Sequence, residues 1–341
     1  MLRYILILIT LLLAVWSCNP NKSGHKEKNK QEIADSSSIE FITAQINAGN
    51  KNPELFVRRA KLFVEQEKFN PAINDMEIAL AVDSTNTDYL LLLAEYQLLT
   101  GKSGKAKESL DKCIWIDPEN TNAILKLAEI HLYVEQYRES MDYILKAQNL
   151  DMNNARVYFI KSLIFKETGD TIRALESLFT SVEKNPEYYD AWMLLGSLHA
   201  VKQDSLTLQF FRNALRVVPN SIEAYYNMAM FYQNNNNPEK ALRTYDDLLE
   251  KAEPDYLFAI YNKAYIYLHF MDDLDKAIEL FTKSIELKNN YYQAWHNRGF
   301  AYEQKREFVP ARKDYEKAIQ IMPNYPLSIE GLNRLDKKEG K

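Results

Sequence analysis

A segment of about thirty-four residues recurs almost without a break from Pro53 to Tyr325. One copy is too short to bury a core of its own, so a chain built this way must stack its copies. The spacing is visible in Trp295, Gly299, Tyr302, Ala311, Tyr315, Ala318 and Pro323. Trp192, Leu195, Gly196, His199, Phe211, Ala214 and Pro219 follow nearly the same track, as do Leu90, Leu93, Ala94, Ala106, Leu110, Cys113 and Pro118. About eight copies begin near Pro53, Thr87, Thr121, Ala155, Tyr189, Ile222, Leu257 and Tyr292.

Within each copy, apolar residues recur at helical intervals over two stretches divided by a short polar break. Gly196, Ala229, Ala264 and Gly299 fall midway along the first stretch, where a neighbouring helix must approach closely. Ala72, Ala106, Ala174, Ala241, Ala277 and Ala311 take that part on the second. Pro118, Pro186, Pro219 and Pro323 follow the second stretch, where a missing N–H and a restricted upstream residue end a helix. No strand-like alternation competes, so the expected fold is all-α. This pattern resembles the tetratricopeptide repeat family over about four-fifths of the chain. The resemblance implies a right-handed superhelical solenoid of about eight helix-turn-helix units. The repeats span 53–325, with a capping helix expected over 39–52 and another over 326–341.

The first seventeen residues differ in kind. Arg3 precedes an apolar run from Ile5 to Val15, too short to span a bilayer and suited to a secretory leader. Val15-Trp16-Ser17-Cys18 resembles the lipobox of bacterial lipoproteins, which implies a signal peptide over 1–17 and lipidation of Cys18. Trp16 stands where a small residue is usual. Residues 18–38 are polar and Ser-rich, as a flexible tether would be. Surface-exported lipoproteins of some bacteria carry acidic residues straight after the cysteine. Asn19-Pro20-Asn21-Lys22 has none, so the expected address is the periplasmic face of the outer membrane. The other cysteine, Cys113, occupies a small-residue slot of the second copy and reads as a buried hydrophobe. A net charge of −5 with no basic stripe argues against nucleic acid.

Motifs that carry chemistry are absent. Gly101-Lys102-Ser103-Gly104-Lys105 lacks the first glycine and final Ser or Thr of a phosphate loop and falls between helices. Asp272-Asp273-Leu274-Asp275 reads as a helix start, since no distal Glu completes a calcium loop. His131 and His199 sit in aromatic packing slots, and no histidine forms a metal motif. The chain is expected to be neither an enzyme nor a cofactor or metal protein.

In the resembled family the first helices line a concave groove. Across the first three copies the positions that would face it hold Arg58, Lys61, Glu95, Lys126 and Glu129. Across the last three they hold Tyr226, Met230, Tyr261, Tyr265, His296 and Phe300. Asn227, Asn262 and Asn297 all take the sixth position and would form a ladder, each amide able to pair with a peptide unit. The expected function is a membrane-anchored scaffold that binds extended segments of envelope proteins. The alternative is a glycan or small-molecule binder using the same aromatic groove. A third possibility is that the asparagines merely belong to the repeat pattern.

Overall fold

The computed structural model describes residues 38–339. The leader, Cys18 and nearly all of the tether lie outside them. Among the described residues every regular element is a helix. After α1 (Ile39–Asn47), the helices pair as α2 (Pro53–Glu65) with α3 (Phe69–Val82), and α4 (Thr87–Leu99) with α5 (Ser103–Ile116). Then come α6 (Thr121–Tyr133) with α7 (Tyr137–Leu150), and α8 (Ala155–Glu167) with α9 (Thr171–Lys184). The second half holds α10 (Tyr189–Val201) with α11 (Thr207–Val217), and α12 (Ile222–Asn234) with α13 (Pro238–Lys251). The last pairs are α14 (Leu257–His269) with α15 (Leu274–Leu287), and α16 (Tyr292–Gln304) with α17 (Phe308–Ile321), before a final α18 (Pro326–Glu339).

Two local devices set this rhythm. Asparagines recur one residue before the first helix of the first four repeats. Asn52 accepts from the Glu54 amide, Asn86 from Tyr89, Asn120 from Ala123 and Asn154 from Arg156, satisfying N–H groups that the helix leaves unpaired. Each turn between the paired helices then uses one left-handed residue: Glu67, Gly101, Glu135, Gly169, Gln203, Asn236, Asp272 or Arg306. Gly101, at φ +73°, is therefore a turn residue, which accounts for the glycine of the phosphate-loop-like run. Asp273 caps α15 by accepting from the Lys276 amide, so the acidic run there serves a helix start.

Contacts divide the chain at Ala174, within α9, into two units. In the first, Ala60, Ala72, Met76, Leu110 and Ala123 are fully buried in one core, joined by Cys113. Burial pushes the Cys113 thiol up to about 11. His131 stacks on Tyr143 at 5.3 Å and bonds Gln136 through Nδ1, so packing explains it. In the second unit Phe211, Tyr245, Phe281 and Tyr315 fill successive layers beside fully buried alanines. Each such ring contributes about 2 kcal/mol by leaving water. His199 packs at 4.8 Å on Phe210 and bonds Asp204.

The same arginine clasp occurs once in each unit. Arg59 on α2 donates two bonds of 2.7 Å to Asp75 on α3 and one of 3.0 Å to Thr43 on α1. Arg298 on α16 donates to Asp314 on α17 at 2.7 and 2.9 Å and to Thr282 on α15 at 2.9 Å. Both carboxylates are almost completely buried. At the C-terminal end, Glu303 is 4% exposed and accepts from Tyr315, Arg334 and Lys338, which fastens α18 to the last pair.

Candidate functional site

On the first-helix face of the first unit, the charged residues expected to line a groove are largely matched to one another. Glu95 pairs with Lys126 at 2.7 Å, and Glu129 takes a bidentate pair from Arg156 at 2.6 and 2.7 Å. Glu54 accepts from the Tyr89 hydroxyl at 2.9 Å. Each bridge joins one repeat to the next. Arg58 and Lys61 remain exposed.

In the second unit the corresponding first-helix positions hold tyrosine and amide groups instead. Asn262 donates from Nδ2 to the hydroxyls of Tyr226 (3.1 Å) and Tyr245 (3.0 Å), with Met230 Sδ also at 3.3 Å. Asn297 donates to the Tyr261 hydroxyl at 2.7 Å. Burial pushes the Tyr245 and Tyr261 phenols above their ordinary range, so both stay neutral and able to donate as well as accept. Two of the three ladder amides thus hold tyrosines of the preceding repeat. Asn227 has no such bond, because the fifth position of the preceding repeat is Met193, which offers no hydroxyl.

The rings form a connected series. Tyr226 meets Tyr256 at 5.8 Å, Tyr256 meets Phe258 at 5.7 Å, Phe258 meets Tyr291 at 6.4 Å, and Tyr291 meets Tyr261 at 4.9 Å. A second group runs Tyr265, His269, Phe300, at 4.2 and 6.0 Å. Most of these side chains are half-buried, and Phe258 is 44% exposed. Edge-on in the first three pairs and tilted or stacked in the others, these contacts hold the rings while leaving part of each free.

His296 departs from the expectation of a groove-facing residue. It is only 8% exposed, bonds Ser328 of α18 at 3.0 Å and packs against Tyr315 and Tyr325. Burial, with Arg334 adding its positive charge, lowers its pKa to about 4, so it is neutral and enclosed at pH 7.

Sequence reasoning read Tyr291 only as packing at a repeat junction and did not single out Tyr256, although a signal existed. Both stand one residue before a first helix, where repeats one to four have a capping asparagine, and neither makes a cap bond. A cap contributes about 1 kcal/mol. Its loss at these two successive repeats coincides with the ring series, and Tyr188 before α10 makes no cap bond either. Among the described residues no group of three or more His, Cys, Asp or Glu side chains is placed to hold a metal ion. No described helix is long and apolar enough to cross a membrane.

Comparison with known proteins agrees with this architecture. Models of the tetratricopeptide repeat family match residues 87–120, 210–243, 259–291 and 292–325. The human mitochondrial import receptor subunit TOM70 is 25% identical over 77% of this chain and 44% of its own length. The human protein O-mannosyl-transferase TMTC1 is 26% identical over 60% of this chain and 23% of its own. The chain thus spans less than half the length of these curated relatives. The solved C-terminal part of a TPR repeat-containing protein from Cytophaga hutchinsonii covers 72% of this chain and 99% of its own. It is 16% identical, with a TM-score of 0.61, and shares the fold. The stacked helix pairs, the left-handed turn in every repeat and these matches agree: the chain is a tetratricopeptide repeat protein.

Proposed function

We propose that this protein is a scaffold that binds an extended segment of a partner protein across the first-helix face of its second unit. The observation that carries this reading is the part-exposed ring series from Tyr226 to Tyr261, held in place by Asn262 and Asn297, with the group from Tyr265 to Phe300 beside it. Such a surface offers buried area with little ordering left to lose on binding. The asparagines act mainly by fixing tyrosines, which leaves Asn227 and the remaining amide oxygens for a bound backbone. The similarity to an import receptor subunit supports protein binding as the general class. Nothing in the arrangement favours catalysis.

The finer proposal is an envelope lipoprotein anchored through Cys18, on the periplasmic face of the outer membrane. Its support is the leader and the lipobox-like Val15-Trp16-Ser17-Cys18 alone. Palmitate labelling of wild type and Cys18→Ser tests the anchor, and label retained by the variant rejects it. The binding face is tested in cells with a photocrosslinking phenylalanine analogue at Phe258, at Phe300, or at Val309 on α17. Adducts to a protein through the first two positions and not the third are expected. Adducts through Val309 alone would place binding elsewhere, and a bound glycan with no protein adduct would favour the carbohydrate alternative.

A further inference from the structure

The first-helix face of the second unit has two chemically different ends. Over α14 and α16 it is aromatic: Phe258, Tyr261, Tyr265 and Phe300. Over α10 and α12 it is acidic and rich in acceptors. Asp190 and Glu223 occupy the same repeat position on these two helices, and Asn227 lies one turn beyond Glu223 on the same side of α12. Among the described residues none of these three side chains has a hydrogen-bond or ion-pair partner. The end is bordered by Tyr189, whose hydroxyl bonds the α12 cap Ser221 at 2.6 Å, and by the Tyr226–Tyr256 ring pair.

The first unit shows what is missing. There Glu95 and Glu129 receive a cation from the next repeat, Lys126 and Arg156. In the second unit the equivalent positions of every repeat hold no lysine or arginine, and His296 is enclosed and neutral. First-turn carboxylates usually gain from the helix start, which favours the ionised form. Here the balance runs the other way. Partial loss of water pushes both carboxyls up, and Asp190 adds repulsion on Glu223. Both are first-turn residues, and with no cation set against them among the described residues, an incoming one relieves both costs.

Resting on the binding reading above, we infer that the docked segment is basic at one end and apolar at the other. A lysine or arginine lies against Asp190, Glu223 and Asn227, and apolar side chains lie over the rings of α14 and α16. Packed helices are about 10 Å apart and an extended chain rises about 3.3 Å per residue. The basic residue therefore sits about three to six residues from the apolar ones.

A library of random dodecapeptides panned on the full chain tests this. Sequences selected by wild type are expected to share a Lys or Arg three to six residues from an aromatic or aliphatic pair. For the best peptide, Lys→Gln should weaken binding to wild type about tenfold, or about 1.4 kcal/mol. On Asp190→Asn/Glu223→Gln, an isosteric pair whose helicity is checked by circular dichroism, the same change should cost little. Peptides that bind without basic preference, or an equal loss on both proteins, overturn this inference and leave the binding reading standing. If neither protein selects any peptide, the binding reading fails first and this one with it. A salt titration gives an independent measure: binding that is insensitive to ionic strength also overturns it.

Discussion

Asn297 reaches back one repeat to donate 2.7 Å to the hydroxyl of Tyr261. The bond fixes a ring that is half on the surface. Tyr261→Phe and Asn297→Ala should each lower stability by about 1 kcal/mol. The double variant should lose less than the sum, and a urea-unfolding cycle measures the coupling. Strict additivity would mean that the two side chains hold their places independently.

Gly331 lies so close to Tyr315 that a Cβ there would sit 2.6 Å from the ring. Gly331→Ala should therefore cost about 1–3 kcal/mol, since Tyr315 is fully buried and has little room to move. Gly104 in α5 has open space around it, so Gly104→Ala should stabilise by up to about 1 kcal/mol. Thermal unfolding of the two variants checks the contrast.

Acid should loosen the C-terminal end first. Burial alone would push Glu303 up, but bonds from Arg334, Tyr315 and Lys338 outweigh it and hold the group at about 2. Its contribution is complete above the ordinary carboxylate range and fades as pH falls toward 2, on the order of 2 kcal/mol after allowing for the exposure of Arg334 and Lys338. His296, held at about 4, acts in the same direction. It takes up a proton below 6.5 when unfolded but stays neutral when folded, so stability declines from pH 6.5 toward 4. The groups facing it are Arg334, Glu303 and His269. Hydrogen exchange in α18 should rise between pH 6.5 and 4, and Glu303→Gln should flatten the dependence below that range. Exchange that rises first in α12 would contradict the assignment.

Loss of a clasp arginine leaves a buried carboxylate without its partner. Arg59→Ala should cost about 3–5 kcal/mol, and Arg59→Ala/Asp75→Ala less than the single change. Denaturant midpoints of the two variants decide it.

Cys113, fully buried and with its thiol raised to about 11, should resist alkylation in the native protein. Mass spectrometry after a timed iodoacetamide pulse in rising urea should show it labelled only as its repeat opens.

The fold was legible because a helix pair packs against partners at constant sequence offsets. Ala72, Ala106 and Gly299 declare by their size where the next helix comes close. The site was legible only in part. Asn262 and Asn297 were visible as a periodic feature, but their partners, Tyr226 and Tyr261, lie 36 residues back, and a one-dimensional pattern does not say which way an amide turns. His296 occupies a position that faces outward in principle, and Tyr315, Tyr325 and, from the docked α18, Ser328 enclose it. Tyr256 was hidden by convention, since a residue just before a helix is read as a cap rather than as a surface, and Tyr291 was legible only as a packing residue at a repeat junction.

A stacked array usually frays one helix at a time, because a terminal helix touches a neighbour on one side only. Arg59 changes that in the first unit. It grips α1 through Thr43 with one N–H and α3 through Asp75 with two others, so the departure of α1 strands one donor while the carboxylate keeps its partner. The first helix to fray therefore costs more than its own contacts, because a half-buried guanidinium must find water for the bond it loses.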